Sequence, residues 1–383
     1  MSYRMSVLRV AGLTAAGMLL VASPAAAGSV WSVVASPNVA AYFGNPYDEL
    51  NGVAAVSSTD VWAVGDYLDG QRRANQTLAE HWDGTAWHVV SSPNRSGASS
   101  VLAAAGAVSS ADVWAVGGFQ NVKDYATSGT LIEHWNGRSW KIVSSPNATA
   151  EGDSLTAVAA RSSNDVWAVG GGGGRTLAEH WNGVSWSLVP TPNPPGPGNL
   201  LTGVAAVSGT DVWAVGRTFD GLHQRTLIEH WDGGRWTIVP NPNASAGDNV
   251  LNVVAAVSSR DVWAAGSFFA ASGDTQTLVE HWNGTSWTVV PSPNPAGATS
   301  SVLSGMAAVF AGKLWAVGGI DVGQYTGSTL TEQWNGTTWS VVPSPNPAPD
   351  VNVLRAVAAL PSGEAWAVGR TGQSRTLILH TTG

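Results

Sequence analysis

The chain contains no cysteine. That excludes disulfide staples, thiolate nucleophiles, cysteine-ligated metals and any cofactor built on a crosslinked cysteine. Charge is scarce, at 11% of residues, and acids outnumber bases by 26 to 18. This balance argues against nucleic acid and anionic lipid surfaces as partners, since both attract a basic footprint. Beyond residue 27 no stretch is apolar enough to cross a bilayer, so no membrane insertion is expected. Metal-ligand spacings, phosphate loops, nucleophile elbows and paired-carboxylate motifs are also missing, and neither a metal nor a cofactor is expected.

The first 27 residues read as a signal peptide. Arg4 and Arg9 form a positive n-region, Val10 to Val21 is a short apolar run broken by glycine, and Ala25-Ala26-Ala27 is a small-residue cleavage site before Gly28. The expectation is residues 1–27 removed, residues 28–383 as one domain, and a secreted, extracellular, monomeric protein. Without Arg4 and Arg9 the formal charge becomes −10. With no disulfides, packing alone must supply the stability.

Internal repetition is the strongest signal. One phrase recurs: Leu-x-x-Val-Ala-Ala-Val-Ser-Ser-x-Asp-Val-Trp-Ala-Val-Gly, a variable stretch, then Thr-Leu-x-Glu-His-Trp-Asn-Gly-x-x-Trp-x-Val-Val-Pro-Ser-Pro-Asn. Its first Trp falls at Trp62, Trp114, Trp167, Trp213, Trp263, Trp315 and Trp366, at spacings of 52, 53, 46, 50, 52 and 51. Each copy reads as four short strands, in the first copy Val53 to Val56, Val61 to Val64, Thr77 to Trp82 and Trp87 to Val90. Ser57 to Asp60 makes a tight turn, and Asp83-Gly84 is a hairpin turn of residues that tolerate positive φ. The second strand is apolar on both faces and must be covered on both.

The chain ends predict closure. The last copy stops at Thr376 to His380, a third strand with no fourth. The mature N-terminus opens with Trp31 to Asn38, a fourth strand without its sheet. Together they complete one unit and protect an edge. All 20 tryptophans lie in the repeat, three per copy except at Thr381, where the third-strand Trp is missing. The pattern resembles the kelch and galactose-oxidase-like superfamily, and in particular the Trp-rich "DVWAVG…EHWNG" proteins exported by high-GC bacteria. The resemblance spans the mature chain and implies a seven-bladed β-propeller of four-stranded blades, closed by Trp31 to Val34. It implies little about function, because propellers host many activities. The oxidase member's copper site and crosslinked tyrosine cannot be carried over to a chain without cysteine.

Embedded in strand patterns, the indoles read as wedge filling between blades rather than as sugar platforms. The repeated His81, His134, His180, His230, His281 and His380 are spread one per blade and cannot converge on a metal. Each is expected to bond the acid before the second strand, as His81 with Asp60. In the sixth copy both partners depart together, to Lys313 and Gln333; the seventh keeps Glu364 with His380. The repeated Glu80, Glu133, Glu179, Glu229, Glu280 and Glu332 are expected to be cross-strand or turn partners.

Variability gathers between the second and third strands, which places it on one face. Apart from Trp the chain has 12 aromatics, and ten fall on that face without repeating: Tyr42, Phe43, Tyr47, Tyr67, Phe119, Tyr125, Phe219, Phe268, Phe269 and Tyr325. They either contact a ligand or pack loops onto the rim. His223 is the one histidine in a variable loop; it reads as a solvated residue, or as an acid–base group beside Asp220, Asp66 and Arg72. Arg355 departs from the row Asn51, Ala103, Thr156, Thr202, Asn252 and Ser304, and is expected to be the lone charge at the channel mouth. It meets an anionic ligand or pairs with Asp350. The expected function is a binding module with one composite site for an extracellular glycan or protein. The alternatives are a polysaccharide lyase or hydrolase, and a structural envelope scaffold.

Overall fold

The computed structural model describes residues 31–39, 47–71, 73–123, 127–149, 152–321, 327–372 and 375–382. Among them are 28 strands and no helix. Each copy of the repeat becomes an antiparallel meander. In the first copy its strands, from the innermost outward, are Asp48–Ser57, Asp60–Asp69, Ala74–Trp82 and Trp87–Val89. Five sheets have four strands; one of eight strands joins the fifth and sixth meanders through a single parallel pairing of Thr275 with Ser300. The last copy's sheet is completed by the N-terminal strand Ser32–Val34, with Val34 opposite Ile378 and Ser32 opposite His380.

The doubly apolar second strand explains how the sheets assemble. Val61, Trp62, Ala63 and Val64 are all buried, as the pattern required. No single core exists; each apolar cluster is shared by two consecutive sheets. Trp62, Val64 and Ala79 of the first sheet pack with Leu102, Val113, Leu131 and Trp140 of the second. Trp366, Val368 and Ile378 of the last pack with Leu50, Val61, Leu78 and Trp87 of the first. The indoles fill these wedges. Trp62 lies 4.8 Å from Trp135 and 5.2 Å edge-on from Trp140, and Trp366 meets Trp82 and Trp87 at 5.1 and 5.5 Å. Tilted and edge-on packing suits the ring quadrupole.

Two repeated motifs act through the backbone. The Asn of each Pro-Asn pair accepts from the amide of the third-strand Thr, from Thr77 to Asn94 at 2.9 Å through Thr376 to Asn38 at 3.0 Å. This ties the exit of the short outer strand back to its own sheet and limits the free edge. Every inner strand also carries a bulge just after its leucine, between Leu50 and Gly52 in the first copy. Opposite it, the glycine that ends Trp-Ala-Val-Gly lets the backbones close: a Cβ on Gly65 would collide with the Glu49 carbonyl.

The second and third strands run beyond the apolar core. Tyr67 pairs with Gln76 and Asp69 with Ala74, so the connecting turn is only a few residues. Backbone pairing satisfies the amides even where side chains vary. Tyr67, Phe119, Phe219, Phe268 and Phe269, expected in loops, therefore lie on strands.

Candidate functional site

Bulges re-aim side chains, and the bulged residues here form the row singled out in the sequence. Asn51, Ala103, Thr156, Thr202, Asn252, Ser304 and Arg355 line a central cavity of about 200 Å³ between the inner strands, and Arg355 is the single charge among its described lining residues. Several of them link neighbouring sheets. Asn51 donates to the Leu102 carbonyl at 3.0 Å, Thr156 to Leu201 at 2.8 Å, Thr202 to Leu251 at 2.7 Å and Asn252 to Leu303 at 2.9 Å.

Between the last and first sheets a charged group makes that link. Arg355 donates through Nε and Nη2 to Glu49 Oε1, at 2.8 and 2.7 Å, and Arg370 Nε lies 3.7 Å from the same oxygen. The partner is thus Glu49, not Asp350. Beside it sits Asp66, cross-strand from Glu49, with Asn51 on Oδ1 at 3.2 Å and Asn75 on Oδ2 at 2.8 Å. Burial, reinforced by the Glu49 charge, pushes the Asp66 carboxyl up to about 7. Glu49 and Arg370 escaped sequence reasoning. The signal was two positions before the bulge: Glu49 stands where the other copies have Val101, Ser154, Leu200, Val250, Val302 and Val353.

Among the described residues the predicted aromatics are dispersed. Tyr67 packs on the apolar cluster between the last and first sheets and Phe268 on the one between the fourth and fifth. Phe119 lies under the Arg95 guanidinium, 4.1 Å from its ring centre. Phe219 borders a shallow pocket with Leu200 and Arg217, while Tyr47 and Phe269 are exposed. Tyr42, Phe43, Tyr125, Tyr325 and Arg72 lie outside the described residues. His223 Nδ1 is 3.4 Å from Asp248, and Asp220 accepts from Arg225 at 3.0 Å. Those partners are distinct from the Asn51 and Asn75 that hold Asp66.

On the opposite face the repeated polar residues are framework. His81, His134, His180, His230 and His281 each meet the expected Asp at 2.8–2.9 Å, and His380 meets Glu364 at 2.9 Å. The repeated Glu row departs from expectation. Its members are fully buried, and Glu80, Glu179 and Glu229 have no hydrogen-bond partner for either carboxylate oxygen; a serine hydroxyl of the preceding sheet, Ser92 or Ser292, lies beside Glu133 and Glu332, and Asn241 of the preceding sheet meets Glu280 at 3.2 Å. Burial pushes all six up to about 8. They are wall groups between sheets, where burial favours the neutral form, and not turn partners. Among the described residues no cluster of His, Asp and Glu is arranged to hold a metal.

No protein-family model and no curated protein matches the chain. Solved structures do. YCF48 bound to a D1 peptide matches over 94% of this chain and 97% of its own, with a TM-score of 0.58 and 13% identity. U3-55K matches over 93% and 100%, with a TM-score of 0.59 and 12% identity. A polysaccharide lyase, ulvan lyase bound to a glucuronate–sulfated rhamnose unit, matches over 91% and 94%, with a TM-score of 0.53 and 8% identity. These neighbours are β-propeller proteins, and at such identities the likeness speaks for architecture alone: this chain folds as a β-propeller.

Proposed function

We propose that this is an exported, monomeric, seven-bladed propeller of the kelch and galactose-oxidase-like kind that serves as a binding module. Its one composite site for an extracellular glycan or protein lies at the cavity mouth on the face of the variable hairpins. The observation that carries this reading is the departure from repetition at one place. Glu49, Asp66, Arg355 and Arg370 all belong to the first and last sheets and meet at their junction; the inner-strand positions equivalent to Glu49 and Arg355 are neutral in every other copy, and the second-strand position of Asp66 and Arg370 is otherwise charged only at Arg217. Framework recurs in every copy; a single site does not have to. The apolar cluster shared by the last and first sheets supports a closed ring of seven. Residues 1–27 support export, which N-terminal sequencing of the mature protein tests, with Gly28 expected first.

A catalytic reading has one observation in its favour. Glu49 and Asp66 are cross-strand carboxyls, and burial beside the Glu49 charge raises the protonation range of Asp66, as an acid–base site requires. Against it, Asn51 and Asn75 already occupy both Asp66 oxygens, and that carboxyl is buried. Neighbours that bind a peptide and a polysaccharide are compatible with either reading.

Titration calorimetry on the mature protein with candidate glycans and peptides decides stoichiometry. One ligand per chain, lost on charge reversal at Glu49, is the expected result. A stoichiometry near the number of repeats would move the site to the framework and overturn the proposal.

A further inference from the structure

Beside Arg355 a groove of about 340 Å³ opens between the inner strands of the sixth and last copies. Val302 forms one wall and Val351 and Val353 the other, with Ile320 alongside. Gly319 leaves room between them, since a Cβ there would sit 3.4 Å from a Val353 methyl. Polar groups occupy the ends: Arg355 and Ser304, which also line the central cavity, at the inner end and Asp321 further out.

This arrangement selects a ligand chemistry. Branched aliphatic walls match aliphatic side chains, and no aromatic ring among the described lining residues offers a platform for a sugar. Glu49 takes Nε and Nη2 of Arg355 through one oxygen, and the Arg355 side chain keeps 42% of its surface exposed. A guanidinium carries five donors in a fork suited to carboxylates, so a second carboxylate can be accepted from the cavity side. The Ser304 hydroxyl, at the same inner end, supplies a further donor.

We infer that this groove holds an extended aliphatic peptide segment followed by a carboxylate, with the side chains against Val302, Val351 and Val353 and the carboxylate on Arg355 and Ser304. The inference rests on the binding reading given above and names its ligand. The carboxylate is either the C-terminal one or an acidic side chain, and the test separates these sources.

The full mature protein is titrated with three probes: acetyl-Ala-Val-Val as free acid, the same peptide as amide, and acetyl-Val-Val-Glu as amide. At least one acidic probe is expected to bind about tenfold or more tighter than the neutral amide, as a charge-assisted fork predicts. The stronger of the two acidic probes identifies the source of the carboxylate. Arg355→Gln should erase the preference. Because that change also removes the link to Glu49, Val302→Glu provides a second variant that leaves the ion pair intact; it should weaken both acidic probes by about tenfold through lost wall and like charge. Equal binding of acid and amide, or an unaffected Val302→Glu variant, overturns the inference. A glucuronate-containing disaccharide is run in parallel. If it binds in an Arg355-dependent way and no peptide does, the peptide assignment fails while the composite site stands. If neither class responds to Arg355 or Val302, both fail.

Discussion

At the scale of single residues the acid–histidine pair is the clearest case of a contact visible in sequence. Lys313 and Gln333 depart in the same copy, and in the remaining copies the pair forms across the second and third strands, as between Asp112 and His134 at 2.8 Å. The imidazole also lies against the second-strand indole, with 4.2 Å between the His134 and Trp114 ring centres. The pair thus fixes a turn and a ring position together. Asp112→Asn and His134→Gln are each expected to cost about 1 kcal/mol, with a coupling of about 0.5–1 kcal/mol in the double variant. Urea melts of the four proteins measure this, and strictly additive costs would show that the contact contributes nothing. Asp165 is a poorer choice for the cycle because Arg161 also binds it, at 2.5 Å.

At the scale of the strand, the buried glutamates give the molecule a pH dependence that the sequence did not announce. The repeated Glu reads as a cross-strand or turn partner, yet the third strand turns it into the wall between sheets, where burial raises its protonation range from 4.5 to about 8. Between those values the unfolded chain has released the proton and the folded one holds it. The contribution of these groups is therefore full below about 4.5 and falls as pH rises to about 8, by at most about 1.4 kcal/mol per pH unit for each group. The melting temperature should be highest on the acid side of neutrality and level off above pH 8. The last copy offers the control, because Leu379 occupies the equivalent position and is buried without charge. Glu229→Leu should raise stability at pH 9 and flatten the slope by one group's share; an unchanged slope would mean that the carboxyl ionises in place. The strands themselves were legible from Asp-Val-Trp-Ala-Val-Gly and from the hairpin turns, since alternation and turn chemistry are local. Their length was not, because hairpin pairing continues on backbone hydrogen bonds alone through variable side chains such as Tyr67 and Gln76. The placement of Arg355 was readable as a break in a row. Its partner Glu49 was not, since the two are 306 residues apart and meet only through closure.

At the scale of the whole molecule, stability depends on joining the two ends of the chain. Trp31 is buried edge-on against Trp315 at 5.0 Å, so the N-terminal strand fills the wedge between the sixth and last sheets as well as covering an edge. Asn38 accepts from the Thr376 amide and Ser36 bonds the Thr376 hydroxyl at 2.7 Å, a clamp that the other copies make within themselves, with Asn241 in place of the hydroxyl in the fourth. Two variants separate wedge from edge. Trp87→Ala empties an internal wedge and should cost about 3–5 kcal/mol, as large aromatic truncations do, while leaving every edge covered. Removing everything before Val39 should cost at least as much and in addition uncover Ile378, Leu379 and His380 at the edge of the last strand. An uncovered edge is a template for another chain, so the truncated protein alone should self-associate with rising concentration in sedimentation runs. A peptide of residues 31–38 added in trans should restore both the melting temperature and the sedimentation behaviour of the parent. A truncated protein that melts and sediments with the parent would mean that the last sheet is stable with three strands, and that closure does not depend on the N-terminal strand.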